Sequence, residues 1–306
     1  MEVMIMDYCL FLRLMCFVLA GFFSVACSSS AFAAETTVFT KTYTFGDAVV
    51  LAIADATSER DLDVFPNLDP ALAKQYTSTG KVPSAVMVYI VKTGAEVTLI
   101  DAGYGNASSL MPSAFDELGI APEDITTVLV THMHGDHIGG LLREGQKTFP
   151  KAQLLIGRVE HDFWLDEKSL STFPDRKANF DLARRIVETY GDNLKLFDFE
   201  DAVVPGIRAL DARGHTPGHT AFLLESGNEK LLFWGDLVHA ALLQFPHPEL
   251  NPRYDMIPEE AASTRKRFME KAAGEKLPVA GSHMPFPSII NVQKDGESYA
   301  SQAFLP

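Results

Sequence analysis

The stretch Thr131-His132-Met133-His134-Gly135-Asp136-His137 puts three imidazoles and one carboxylate within six consecutive positions, in a chain that holds 9 histidines among 306 residues. Directly before it, Ile125-Thr126-Thr127-Val128-Leu129-Val130 is short and rich in β-branched residues, which predicts a buried strand. Directly after it, Ile138-Gly139-Gly140-Leu141-Leu142 allows a helix to start. The polar cluster therefore sits at a strand's carboxyl end, on a strand-to-helix turn, where α/β folds place their sites. On an extended backbone His132 and His134 share a face, and Asp136 and His137 follow the turn. Neutral imidazole nitrogens and a carboxylate oxygen suit zinc and similar first-row divalent ions.

Outward from this stretch one pattern recurs. Apolar runs end in a Gly-flanked Asp or His at Asp101, at His132 to His137, at His215 and at Asp236, with His283 as a fifth case. Strands are expected at 38–54 (two, turning at Gly46-Asp47), 84–91, 97–100, 126–130, 152–156, 203–210, 221–225, 230–234 and 277–280, with 288–292 at a sheet edge. Helices are expected at 107–118, 160–165, 175–190 (capped by Asp175) and 258–273, the last with Pro at its start and Gly274 at its end. Residues 58–81 read as a Pro-containing loop. Chemistry collected at strand ends along one edge predicts a layered α/β architecture with one shared site.

The donors outnumber what one metal needs, since a mononuclear catalytic zinc takes three protein ligands and keeps an open position. His132, His134 and His215 make one tripod. Asp136, His137 and His283 make a second set, and Asp236 is placed to bridge them; two ions about 3.5–4 Å apart could then hold a bridging hydroxide. Asp101 either orients a ligand histidine from behind or serves as a plain turn residue. His219 reads as a hydrogen-bonding neighbour of the site, His239 as a buried, satisfied histidine, and His161 and His247 as loop or surface residues.

Composition sets further bounds. The formal net charge of -14 argues against nucleic acid as the main partner, because binding phosphate backbones needs Lys and Arg. Leu10 to Ala26 is almost wholly apolar, and Ala31-x-Ala33 is a small-residue cleavage pattern. This predicts a secretory signal peptide over residues 1–33, followed by a single domain over 34–306. An uncleaved anchor and a lipoprotein acylated at Cys27 are the competing readings. All three cysteines (Cys9, Cys16 and Cys27) lie in this leader, so the mature chain would use no thiolate. Export is expected, to the periplasm in a Gram-negative cell, with no membrane contact after cleavage. A homodimer is compatible with the sequence.

The phrases "VLVTHMHGDHIGGL", "GHTPGHT", "LLFWGDLVH" and "GSHMPFP" resemble the metallo-β-lactamase superfamily over about residues 45–286, and within it the branch of methyl parathion hydrolase and the N-acyl homoserine lactonases. The resemblance implies a four-layer αββα sandwich with a dinuclear zinc-type site at its edge: His132, His134 and His215 on one Zn2+, Asp136, His137 and His283 on the other, Asp236 between them. It implies hydrolysis by a metal-bridging hydroxide, with Asp136 passing a proton to the leaving group and Asp236 in the catalytic centre. The substrate expected is a neutral small-molecule ester, a lactone first and an aryl phosphotriester second, with β-lactams and thioesters behind them. Non-catalytic metal binding is the alternative of a different class. Lactonases of this branch carry an oxyanion-assisting tyrosine, for which Tyr104 and Tyr254 are the candidates. Aromatic loops at 58–81, 163–173 and 245–254 predict an apolar pocket.

Overall fold

The computed structural model describes residues 39–305. The predicted leader, its cleavage site and Cys27 lie outside the described residues. Strands β1 (Thr40–Phe45), β2 (Ala48–Asp61), β3 (Lys81–Thr93), β4 (Glu96–Ile100), β5 (Thr127–Val130), β8 (Gln153–Gly157) and β9 (Leu194–Phe197) form one seven-stranded sheet in that order, while β6 (Leu142–Arg143) and β7 (Gln146–Lys147) make a small hairpin beside it. A second seven-stranded sheet runs β10 (Ala202–Val204), β11 (Ile207–Asp211), β12 (Thr220–Ser226), β13 (Glu229–Phe233), β14 (Val279–Ala280), β15 (Ile289–Asp295) and β16 (Ser298–Ala303). The helices are α1 (Pro70–Tyr76), α2 (Met111–Leu118), α3 (Gly135–Ile138), α4 (Arg158–Leu165), α5 (Glu167–Thr172), α6 (Lys177–Tyr190), α7 (Ala241–Gln244) and α8 (Pro258–Glu275).

Period-two alternation in the strands builds the layers. In β2, Leu51 and Ile53 join the cluster that packs under α2, α4 and α6, with Phe115, Trp164, Phe180 and Ile186. Val50, Ala52 and Ala54 of the same strand face the other way, into the seam between the sheets. In β12, Phe222 and Leu224 enter that seam, while Ala221 and Leu223 pack beneath α8 with Phe268 and Met269. The result is helix, sheet, sheet, helix, the αββα sandwich expected.

Strand direction then fixes where the site lies. Strands β4, β5, β8 and β9 run parallel, as do β13 and β14, and β11 shares their sense because it is antiparallel to β12, which is antiparallel to β13. The carboxyl ends of β4, β5, β11, β13 and β14 lead directly to Asp101, His132, His215, Asp236 and His283.

Several boundaries differ from the expectation. Residues 58–81 are not one loop: β2 continues to Asp61, and Pro70–Tyr76 is helical with Asp69 capping it through the Ala71 N–H. The polar Ser58-Glu59-Arg60 lies on strand because it pairs with β3, whose cross-strand bonds outweigh the weak strand preference of those residues. Helix α2 starts at Met111 because Asp55 accepts the Met111 N–H (2.9 Å) and ties down the preceding turn. Asp175 is not the cap of α6; it lies in a 3-10 turn over Pro174–Arg176. The strand beginning at Ile289 is internal, since β16 covers it at the edge. Among the described residues no helix is long and apolar enough to cross a membrane.

Phe222 is fully buried between the sheets, 5.8 Å from the ring of Phe197. Phe222→Ala should cost about 3–5 kcal/mol, read as a shift of the denaturant unfolding midpoint with an unchanged slope.

Candidate metal centre

The site is assembled from turns that the chain cannot relax. Asp101 follows β4 with φ 56°, a left-handed conformation that Asp tolerates better than most residues. This aims its carboxylate across at the turn after β5: Oδ1 accepts the Thr131 N–H (2.8 Å), and Oδ2 accepts the Thr131 hydroxyl (2.8 Å) and His137 Nδ1–H (2.8 Å). Asp101 therefore orients a histidine of the motif, the first of its two readings. Gly235 (φ 56°) lets the chain turn after β13 directly against His219; a Cβ there would lie 2.5 Å from His219 Nε2.

Because each acceptor behind an imidazole can only accept, the tautomers follow. His137 gives its Nδ1 proton to Asp101, His215 to Asp255 Oδ1 (2.8 Å) and His283 to the Ala85 carbonyl (2.9 Å). His132 Nδ1 lies 3.0 Å from the Thr131 hydroxyl, whose own proton is committed to Asp101. Four Nε2 atoms consequently face inward, and each offers a lone pair whenever its ring is neutral. His132 Nε2 and His215 Nε2 each lie 3.0 Å from His134 Nδ1. Nitrogens bound tetrahedrally to one ion at about 2.0–2.1 Å sit roughly 3.3 Å apart, so this trio has the dimensions of a metal tripod.

Asp236 lies between the two sets. Its Oδ2 is 3.3 Å from His215 Nε2 and 3.0 Å from His283 Nε2, and its Oδ1 is 3.2 Å from His137 Nε2. Asp136 Oδ2 lies 3.3 Å from His283 Nε2. All seven residues predicted as ligands are thus brought together, and their donor atoms fall into groups that could hold a metal ion: His132, His134, His215 and Asp236 in one, Asp136, His137 and His283 in another. The buried atoms His137 Nε2 and Asp236 Oδ1 have no hydrogen-bond partner although they face each other. A buried pair of this kind is costly unless a cation satisfies it, so the donor set fits divalent ions.

The electrostatics divide the imidazoles: without a cation, the carboxylates favour a proton on His137, His215 and His283, while His132 and His134 stay neutral. Burial and the neighbouring imidazoles hold His132 and His134 well below the ordinary histidine value, so both are neutral donors. Burial opposes charge on His137 and His283 too, but the carboxylates of Asp236 and Asp136 outweigh it, and His283 is raised to about 9. For Asp136 and Asp236 burial pushes upward, and the imidazoles win, keeping both carboxylates ionised.

A model of the metallo-beta-lactamase superfamily matches residues 82–283. The chain belongs to the metallo-β-lactamase superfamily. Among solved structures it is similar to the dizinc quorum-quenching lactonase AidC, solved with the product N-hexanoyl-L-homoserine: 26% identity, TM-score 0.79, covering 88% of this chain and 99% of that one. Curated relatives include an atrochrysone carboxyl ACP thioesterase of Passalora fulva, 31% identical over 153 residues (49% of this chain, 37% of the relative). An N-acyl homoserine lactonase of Bacillus cereus is 25% identical over 166 residues (54% of this chain, 58% of the relative). The chain thus spans less than two thirds of the length of these curated relatives.

In this superfamily chain the remaining histidines separate cleanly. His219 donates from Nδ1 to the Ala212 carbonyl (3.0 Å) and accepts the Asp236 N–H at Nε2 (3.0 Å), so it supports the site from behind; burial keeps it neutral, lowered to about 3. His239 departs from the expectation of a satisfied residue. Its Nε2 lies 3.1 Å from Asp236 Oδ2, its Nδ1 is buried without a partner, and it lines the cavity. His161 is paired with Asp162, and His247 with Tyr76.

Two supports carried no motif signal. Glu160 on α4 is buried and accepts four hydrogen bonds: from Met133 N–H (2.8 Å), Trp164 Nε1 (2.6 Å), Thr216 hydroxyl (2.7 Å) and Gly218 N–H (3.0 Å). It thereby clamps the His132–His134 turn to the His215–His219 turn. Arg265, also buried, donates to Asp255 Oδ2 (2.9 Å) and so steadies the acceptor of His215.

Above the cluster opens a cavity of about 470 Å3. Its wall is not the apolar one expected. Phe163 and Phe173 pack, partly buried, against the core beneath the first sheet, and Phe245 is buried beneath the second, because covering aromatic surface is favourable. Arg60, Arg176, Asn179, Tyr104 and Tyr254 line the cavity instead.

Removing the metal should expose the His283 linkage. Its folded-state value of about 9 lies above the ordinary 6.5. The stability it contributes is therefore complete below about pH 6.5 and is lost as pH rises through about 9. Chelator-treated protein should lose melting temperature across that window. The metal-loaded protein should not, because ligation already holds the imidazole neutral.

Proposed function

We propose that this chain is a metal-dependent hydrolase that cleaves an ester, with a lactone as its first substrate. The reading is carried by the inward-facing imidazole lone pairs arranged around the Asp236 carboxylate at the floor of an open cavity. His132, His134 and His215 would hold one divalent ion and Asp136, His137 and His283 a second, with Asp236 between them; the N/O donor set favours zinc. Ions bound there would bring the pKa of a coordinated water toward 7 and polarise a carbonyl.

The chain's own groups do the rest. Asp136 is the more accessible of the two carboxylates, its side chain 23% exposed against 3% for Asp236; being ionised, it can take the proton released by the attacking water and return it to the leaving alkoxide. Asp236 remains ionised and fixed by surrounding imidazoles, which suits a bridging ligand. Tyr104 and Tyr254 both line the cavity. Burial, with the charge of Asp136, pushes the Tyr104 phenol up, so it keeps its proton at neutral pH and can donate to a developing oxyanion.

The lactonase names of two relatives support the lactone. The thioesterase relative favours a second reading, a thioester, attacked at the same type of carbonyl. The apolar leader supports an exported enzyme, periplasmic in a Gram-negative cell.

Turnover of an N-acyl homoserine lactone and an acyl thioester by the metal-loaded protein tests this. We expect the lactone to lead in kcat/KM by about a hundredfold, roughly 2.7 kcal/mol of transition-state stabilisation. Asp236→Asn or His132→Ala should lower it by at least about a thousandfold while reducing the bound metal. Full activity in either variant would sink the proposal, and a thioester preference would select the second reading.

A further inference from the structure

Arg60 and Arg176 are charged groups on the cavity wall that the reaction does not use, and Arg60 is the less satisfied of the two. It lies near the end of β2, opposite Val82, and reaches toward β3 and the loop carrying Tyr254. Its two terminal nitrogens donate to neutral hydroxyls at long distance, Nη1 to Tyr254 (3.3 Å) and Nη2 to Ser84 (3.4 Å). Its Nε is buried and has no partner. Among the described residues no carboxylate lies within salt-bridge distance of it, although the chain carries 40 acidic residues against 26 basic ones. Arg176 lines the same cavity; its nearest acidic partner, Asp175, is 3.7 Å away and largely exposed. Among the described residues, the carboxylates on the cavity wall are Asp136 and Asp236, and both are turned onto imidazoles.

A guanidinium offers five donors in a planar fork that matches a carboxylate, and leaving it half-satisfied at a partly buried position is unfavourable. Stacked 5.5 Å from the Tyr254 ring, Arg60 is held in place without being neutralised. Tyr254 accepts from Arg60, so its own proton stays free to donate into the cavity.

We propose that Arg60, steadied by Tyr254, is a specificity-determining residue that binds a carboxylate carried by the substrate away from the bond to be cleaved, so that the preferred esters are anionic. This rests on the hydrolase reading above for its reaction, and replaces the neutral, apolar substrate expected from the sequence.

The test uses a γ-lactone bearing a ring carboxylate and its carboxamide, which share the scissile bond. Both kcat/KM and Kd are measured with the metal-loaded protein and with Arg60→Gln, Arg60→Lys and Tyr254→Phe. The wild type should favour the carboxylate by at least about tenfold, the size of one charge-assisted hydrogen bond. That ratio should fall to about one in Arg60→Gln and lie between in Arg60→Lys. A carboxylate held by the metal ions instead would leave the ratio intact in Arg60→Gln, and that result overturns the proposal, as does a wild-type ratio near one. If Arg60→Gln does not fold, an undiminished ratio in both Arg60→Lys and Tyr254→Phe overturns it equally. Arg60-dependent binding of the carboxylate without turnover of either lactone would support the anion site and contradict the hydrolase reading.

Discussion

The acceptor behind four of the five inward-facing imidazoles, all but His134, is the constraint on which the rest of this site depends. An imidazole can present a lone pair inward only if its other nitrogen's proton has somewhere to go. Asp101, Asp255 and the Ala85 carbonyl supply that place for His137, His215 and His283, and the Thr131 hydroxyl does so for His132. Without these acceptors the rings could turn or swap tautomer, and a cluster of histidines around two carboxylates would settle into internal ion pairs. The fold invests unusual features in maintaining them: a non-glycine residue in the left-handed region at Asp101 and a buried guanidinium at Arg265.

The same logic explains why the site lies where the two sheets meet. The first sheet delivers His132, His134, Asp136 and His137; the second delivers His215, Asp236 and His283. Neither set is a complete centre, so their relative position has to be fixed to within tenths of an ångström. Glu160 does this from one side, with its two oxygens shared between the two histidine-bearing turns. His219 does it from beneath, tying Ala212 at the end of the second sheet to the backbone of Asp236. A buried carboxylate without a cation is normally unfavourable, and burial does raise Glu160 above its usual range, but four donors compensate.

The layered fold and the seven convergent donors were legible in the sequence because both follow from short-range pattern. Strand periodicity, Gly at turns and polar residues at strand ends are local features, and residues at the ends of parallel strands must converge. The supports were not legible. Glu160 opens a short expected helix with no motif around it, and Asp255 and Arg265 meet only through tertiary packing. His239 reads from sequence as a satisfied buried histidine, whereas its neighbours leave Nδ1 without a donor. The pocket differs for a related reason: aromatic loops predict its wall, but the hydrophobicity that marks Phe163, Phe173 and Phe245 packs them against the cores, leaving Arg60, Arg176 and Tyr254 to line the opening. Net charge points away from nucleic acid, yet a whole-chain balance carries no information about which side chains face one cavity.

Anomalous diffraction at the zinc absorption edge from crystals of the metal-loaded protein is the most direct test of the central claim, that these tautomers are fixed to hold two divalent ions. The account predicts two peaks about 3.5–4 Å apart, one among His132 Nε2, His134 Nδ1 and His215 Nε2, the other among Asp136, His137 Nε2 and His283 Nε2, with Asp236 between them. A single peak elsewhere, or none at saturating zinc with the imidazoles still paired to the carboxylates, would contradict it.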